Sequence, residues 1–259
     1  MSDSMELAKK VFLVGGVGTG LGTALVSTLA ADGATVIGIA RTSQALERIE
    51  AHAQRRGWKF SARTADLLNQ ADVDRAVRST LDEFDHLDGV SINVGHWVGG
   101  ETLLHRMSEG EWSAGIRDNT EPVYRVARAT LPHLTERGSG SIVLVSAAPI
   151  VRWAGSASYA LAKGGLAELV PKLARDYRPF GVRINAVLPG SMEQNVGSLD
   201  PPAAVGPVPL TETTNTSAWE VARAIRYLLS DESRWVTGSL VLVDGGSSTG
   251  GAEPVAGAP

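Results

Sequence analysis

Seven short apolar runs, each about the length of one strand, alternate along this chain with longer stretches of helical period. They are Lys10 to Val14, Thr35 to Ile39, Lys59 to Ala62, Gly89 to Asn93, Ser141 to Val145, Arg183 to Val187 and Leu240 to Val243. Alternation of this kind implies right-handed crossovers, and these give a mainly parallel sheet with helices on both faces. The predicted fold class is doubly wound α/β with about seven strands. At 259 residues and 43% apolar content the chain can bury one large core, so a single domain over residues 1–249 is expected. Residues 250–259, rich in Gly, Ala and Pro, are expected to form a flexible tail.

The first run leads into Gly15-Gly16-Val17-Gly18-Thr19-Gly20-Leu21-Gly22, followed by the helical Thr23 to Ala31. Glycines in this context let the backbone turn sharply and approach a pyrophosphate, while the helix start offers unpaired N–H groups to the phosphates. The second run ends Ile37-Gly38-Ile39-Ala40-Arg41. An NAD site usually places an acid there to grip the ribose hydroxyls. Ala40 cannot do so, whereas Arg41 can make charge-assisted bonds to a 2′-phosphate, which favours NADP(H), with NAD(H) as the alternative.

The stretch Ser146 to Lys163 carries a phenol and an amine four residues apart, Tyr159 and Lys163. On a helix beginning near Ser156 they share a face one turn apart. The expectation is that the ammonium lowers the phenol's pKa and makes Tyr159 a proton donor and acceptor. Ser146 ends an apolar run, so its hydroxyl is expected at the carboxyl end of a strand, where open α/β sheets keep their sites.

A formal charge of −4 with dispersed Lys and Arg favours neither nucleic acid nor an anionic membrane as partner. The absence of cysteine excludes thiol, disulfide and zinc-thiolate chemistry. His52, His86, His105 and His133 lack metal-ligand spacing, so no metal is expected. The glycines after Lys9-Lys10 break the first apolar stretch too often for a signal peptide. No run approaches the ~18 apolar residues of a membrane span, and a cytoplasmic location is expected.

Together these motifs make the chain resemble a short-chain dehydrogenase/reductase of the compact, single-domain type, from about Lys10 to Gly246. The family's opening pattern falls on Gly15 to Gly22, with Gly15 in place of a threonine and the three glycines kept as Gly16, Gly20 and Gly22. The resemblance implies a Rossmann-type fold. It also implies that Asp66, beside Leu67, holds the adenine amino group, and that Asn93 and Gly95 of Ile92-Asn93-Val94-Gly95 line the cofactor site, with Ile92 replacing an asparagine. Thr19 and Leu21 join the cofactor positions of the turn. Asn119, Ser146, Tyr159 and Lys163 match the family's four catalytic positions. Pro189 and Gly190 match a pair lying against the nicotinamide, while Gln194 replaces an expected hydroxyl residue. The implied reaction is hydride transfer between the nicotinamide and a small carbonyl or alcohol substrate. In it Ser146 polarises the oxygen, Tyr159 passes the proton, and Lys163 tunes the tyrosine and binds ribose. Asn119 acts through its helix backbone, where Pro122 leaves the Asp118 carbonyl without its i+4 donor.

Departures at Gly15, Ile92 and Gln194 keep a second reading open, a non-catalytic NADP-binding regulator that retains the fold. His96, Trp97 and Trp153 suggest a partly aromatic substrate pocket, and the Pro-rich stretch Met192 to Thr216 suggests a lid. Helices around Trp112 to Leu134 and Ser156 to Arg178 carry apolar residues on more than one face. A homo-oligomer, tetramer or dimer, is expected.

Overall fold

The computed structural model describes residues 6–203 and 215–249. The amino-terminal half runs β1 (Val11–Gly15), α1 (Leu21–Ala31), β2 (Thr35–Ala40), α2 (Ser43–Arg56), β3 (Lys59–Thr64), α3 (Gln70–Phe84), β4 (Gly89–Ile92) and α4 (Glu109–Arg137). The remainder runs β5 (Gly140–Val145), α5 (Pro149–Ala154), α6 (Ala157–Tyr177), β6 (Val182–Pro189), α7 (Ala218–Leu229) and β7 (Leu240–Val243). All seven expected strands are present, in the order β3-β2-β1-β4-β5-β6-β7. Every pairing is parallel.

The period of two along the strands divides the core. Leu13, Ile37, Ile92 and Leu144 face α3, α4 and α6, while Phe12, Val14, Val36 and Val143 face α1, α2 and α7. Central strands such as β1 are buried on both faces and read as continuous apolar runs for that reason. The chain reverses its direction of winding between β1 and β4, and a crevice opens at the carboxyl ends of these strands.

Two helices hold the residues of interest. Helix α4 starts at a capping box in which the Glu111 carboxylate accepts from the Ser108 N–H at 2.8 Å, and Ser108 Oγ accepts from the Glu111 N–H at 3.2 Å. The Ser108 N–H and hydroxyl, both donating to the carboxylate, hold the Glu111 carboxyl below its ordinary pKa. Helix α6 starts at Ser156, whose hydroxyl accepts from the Tyr159 N–H at 3.2 Å. The two helices pack closely where Gly115 meets Ser158, because a Cβ on Gly115 would overlap the serine hydroxyl.

The proposed tail, 250–259, and part of the proposed lid, 204–214, lie outside the described residues. The start of the lid stretch is tied down. Thr19 Oγ1 donates to the Gln194 carbonyl at 2.8 Å, and the Val196 N–H donates to the Thr19 carbonyl at 3.0 Å. Further on, Asp200 accepts from Arg56 at 3.0 Å, with His52 Nε2 also 3.0 Å away.

Candidate active site

The glycine-rich turn owes its shape to contacts that only glycine allows. Gly16 has φ +92°, a left-handed conformation, and a Cβ there would stand 2.9 Å from the Val94 side chain. At Gly22 a Cβ would run into the Gly16 carbonyl and lie 2.7 Å from Val17 Cα. The threonine hydroxyl missing at Gly15 is not needed to fix this turn, since the Gly16 and Val17 N–H groups both donate to the Ile39 carbonyl, at 3.0 and 2.8 Å. Gly20 caps α1 without a side chain, and the first helical turn carries no acid. Its N–H groups are left for an anion.

From this turn a trough runs in two directions. One arm, of about 330 Å³, is lined by Ala40, Arg41, Asp66, Leu67 and Asp118. The other, of about 640 Å³, is lined by Thr19, Gly20, Leu21, Gly22, Ser146, Tyr159, Lys163, Pro189 and Gly190. The arms share Gly16, Asn93 and Gly95. Every expected site residue except Asn119 therefore lines one continuous groove. Arg41 is exposed and makes no ion pair among the described residues. Asp66 Oδ1 accepts from the Leu68 N–H at 3.0 Å, which fixes the carboxylate at the groove wall. Asn93 Oδ1 accepts from Ser91 at 2.6 Å, but its amide nitrogen is buried without a partner. Such an orphan donor costs stability unless a ligand satisfies it. Ile92, where the family has an asparagine, is fully buried in the core.

Asn119 sits behind the groove, fully buried. Its carbonyl oxygen accepts from the His96 N–H at 3.1 Å, and its amide donates to the carbonyls of His96 at 3.0 Å and Gly115 at 2.8 Å. The side chain is thus a staple between α4 and the β4–α4 connection. A Cβ on Gly95 would lie 2.7 Å from Lys163 Nζ and 3.1 Å from Asn119 Oδ1, so only glycine lets both side chains approach there. Pro122 lies within α4, and the Asp118 carbonyl lacks the N–H donor four residues on.

Ser146 Oγ donates to the Lys163 carbonyl at 2.5 Å. Lys163 Nζ donates to the carbonyls of Val94 at 3.1 Å and Val145 at 3.2 Å. The expectation that the ammonium depresses the tyrosine is corrected here. Burial pushes the Tyr159 phenol up to about 12 and the Lys163 amine down to about 8. Desolvation dominates because both side chains are buried, Lys163 with 3% and Tyr159 with 6% of its surface exposed.

Lys163 has a testable signature in stability. Between about pH 8 and its ordinary value of 10.5, the unfolded chain holds a proton that the folded chain has released. Raising pH across this window therefore favours folding, by about 3 kcal/mol at most relative to Lys163→Met. The phenol has the opposite sign from about pH 10 to 12, but it is present in both proteins and cancels in the difference. Denaturant unfolding of both proteins at pH 8 and pH 10 measures the difference, and an unchanged difference would mean that Lys163 titrates normally.

One groove position escaped the sequence. Val151 lines the groove from the short α5, where only Pro149 at the helix start signals an element, while Met192, the first residue of the proposed lid, lines it as well. Of the expected aromatic pocket, Trp97 lines the groove and Trp153 does not. Trp153 is 75% exposed on α5. Gln194, at the position of the expected hydroxyl residue, accepts from Thr19 Oγ1 through its backbone carbonyl.

A family model described as enoyl-(acyl carrier protein) reductase matches residues 16–248. A 3-oxoacyl-(acyl-carrier-protein) reductase from Escherichia coli is 31% identical over 247 residues, covering 93% of this chain and 98% of the relative. The chain belongs to the short-chain dehydrogenase/reductase family. Among solved structures, a 3-ketoacyl-ACP reductase from Sinorhizobium meliloti superposes on this dehydrogenase/reductase with a TM-score of 0.82 at 32% identity, covering 92% of this chain and 99% of that one. A chain from Burkholderia xenovorans assigned to the same family gives 0.81 at 26% identity, with coverages of 95% and 98%. Among the described residues of this dehydrogenase/reductase, no helix is long and apolar enough to cross a membrane.

Proposed function

We propose that the protein is an NADP(H)-dependent oxidoreductase acting between a carbonyl and its alcohol, with Tyr159 as acid/base. The observation that carries this reading is the convergence of Ser146, Tyr159 and Lys163 on one arm of a groove whose other arm ends at Arg41 and Asp66. The residues present fit a dinucleotide. The uncapped start of α1 and the unpartnered Asn93 amide are donors without acceptors. Gly16, Gly20 and Gly22 would hold the pyrophosphate, Asp66 the adenine, Arg41 the 2′-phosphate, Lys163 the ribose, and Pro189 and Gly190 the nicotinamide. When bound, the nicotinamide supplies or accepts the hydride.

The chain's own residues handle the proton. Tyr159 Oη holds it in the reductive direction, and its raised pKa keeps the phenol protonated at neutral pH. Ser146 Oγ orients the substrate oxygen. Lys163 stands one helical turn from Tyr159, with its Nζ held by the carbonyls of Val94 and Val145. Asn119 keeps the β4–α4 connection in place beside them. NADPH oxidation across a panel of carbonyl compounds tests the reading. The panel includes 3-oxoacyl thioesters, the class named in the relatives, and no oxidation with any of them would reject it.

The same reading extends to assembly. Between α4 and α6 lies an apolar groove lined by Val123, Tyr124, Ala127, Leu131, Leu169 and Leu173. Tyr124 is 59% exposed there. A second copy of the chain covers this face in our reading, giving a dimer or a tetramer. Sedimentation at micromolar concentration should give a dimer or larger, and a monomer would remove the proposal.

A further inference from the structure

Trp97 reaches Tyr159 through a device that proton transfer alone does not require. The connection after β4 runs back along the connection between α5 and α6. Gly99 forms an antiparallel bridge with Gly155, and the Ser156 N–H donates to the Val98 carbonyl at 2.9 Å. Both strands of this contact need glycine. A Cβ on Gly100 would stand 2.6 Å from the Ala154 carbonyl oxygen, and one on Gly155 would stand 2.6 Å from Tyr159 Cδ1 and 3.3 Å from Trp97 Cζ3. Ser156 also caps α6, so one residue fixes both the helix start that aims Tyr159 and the loop that carries Trp97. The result is an indole whose centroid lies 5.0 Å from that of the phenol, at an interplanar angle of 73°. An edge-to-face contact occupies little of the ring. Trp97 remains 48% exposed, in the groove wall with Val151 and Met192.

We infer that Trp97 selects the substrate, and that the groove takes ketones and alcohols bearing a flat, unsaturated ring beside the reacting carbon in preference to flexible acyl chains. The inference rests on the carbonyl–alcohol reading above. A carbonyl oxygen within reach of the Tyr159 hydroxyl brings the substituents of its carbon against the neighbouring indole. A flat ring gains a stacking partner there, worth about threefold to tenfold beyond its apolar burial. A flexible chain covers the same surface only by giving up rotor freedom.

The test compares wild type with Trp97→Ala, Trp97→Leu and Trp97→Phe. With NADPH, kcat/KM is measured for acetophenone and for 2-octanone, and acetoacetyl-CoA serves as the acyl probe. The ratio of aryl to linear ketone should fall about tenfold in Trp97→Ala and Trp97→Leu, and stay within about threefold of wild type in Trp97→Phe. A ratio unchanged in Trp97→Ala, or one that falls equally in Trp97→Phe, overturns the inference. Ring binding is also read without turnover, by titrating acetophenone into the protein with NADP+. Its Kd should rise about tenfold in Trp97→Ala, and an unchanged Kd overturns the inference. Absence of NADPH oxidation with every carbonyl compound would instead fell the functional reading and leave the binding comparison to decide the role of Trp97.

Discussion

Replacing Tyr159 with Phe is expected to lower turnover about 10³-fold while NADPH binds as in wild type. The expectation follows from how little else the substitution changes. The ring stays buried, its edge-to-face contact with Trp97 persists, and the cap from Ser156 to the backbone of residue 159 is untouched. Only the hydroxyl that holds the proton is lost. Neither neighbour is an equivalent acid: the Ser146 hydroxyl is far less acidic than a phenol and donates to the Lys163 carbonyl, and Lys163 Nζ uses two of its three N–H groups on backbone carbonyls. Steady-state rates together with equilibrium titration of NADPH separate the two effects. Turnover within about tenfold of wild type would remove Tyr159 from the acid/base role.

Replacing Arg41 with Ala is expected to reduce the preference for NADPH over NADH by about 10- to 100-fold, the range that charge-assisted hydrogen bonds to a phosphate supply. Two features isolate the arginine as the source of the preference. Ala40, the last residue of β2, offers no carboxylate to ribose hydroxyls, and the first turn of α2 carries no acid that would repel a phosphate. The Thr42 side chain, at the cap of α2, makes no capping bond, so hydroxyl and guanidinium stand together at one helix start. Titration of both cofactors into both proteins gives the ratio. Equal affinities in wild type, or a ratio unchanged by the substitution, would place the discrimination elsewhere.

The central strands were legible because they are buried on both faces. β1 and β5 must be continuous apolar runs, and sequence alone bounds them to within about two residues. Helix α5 was not legible, since six residues are too few to display a period. The convergence of Ser146, Tyr159 and Lys163 on one groove was readable from their spacing, but their electrostatics were not. Sequence reports that an amine lies one turn from a phenol, and it does not report that both are buried, so the sign of the tyrosine's shift came out reversed. Trp97 and Trp153 looked alike in the sequence, and only the pairing of Gly99 with Gly155 decides which indole meets the groove. The unpartnered nitrogen of Asn93 had no sequence signal, because an orphan donor is defined by what surrounds it.

A serine hydroxyl has one proton to give, and at Ser146 it is already given to the carbonyl of Lys163. What the hydroxyl offers the groove in that state is lone pairs. An alcohol can donate to them and leave the internal bond whole, whereas a ketone, having no donor, gains from Ser146 only if the hydroxyl swings its proton away from the helix. That swing forfeits an interaction of about 1 kcal/mol. The two sides of the reaction thus meet different faces of the same group. The binding energies of ketone and alcohol are offset from each other by a rotation about a single bond, independently of any change at the dinucleotide.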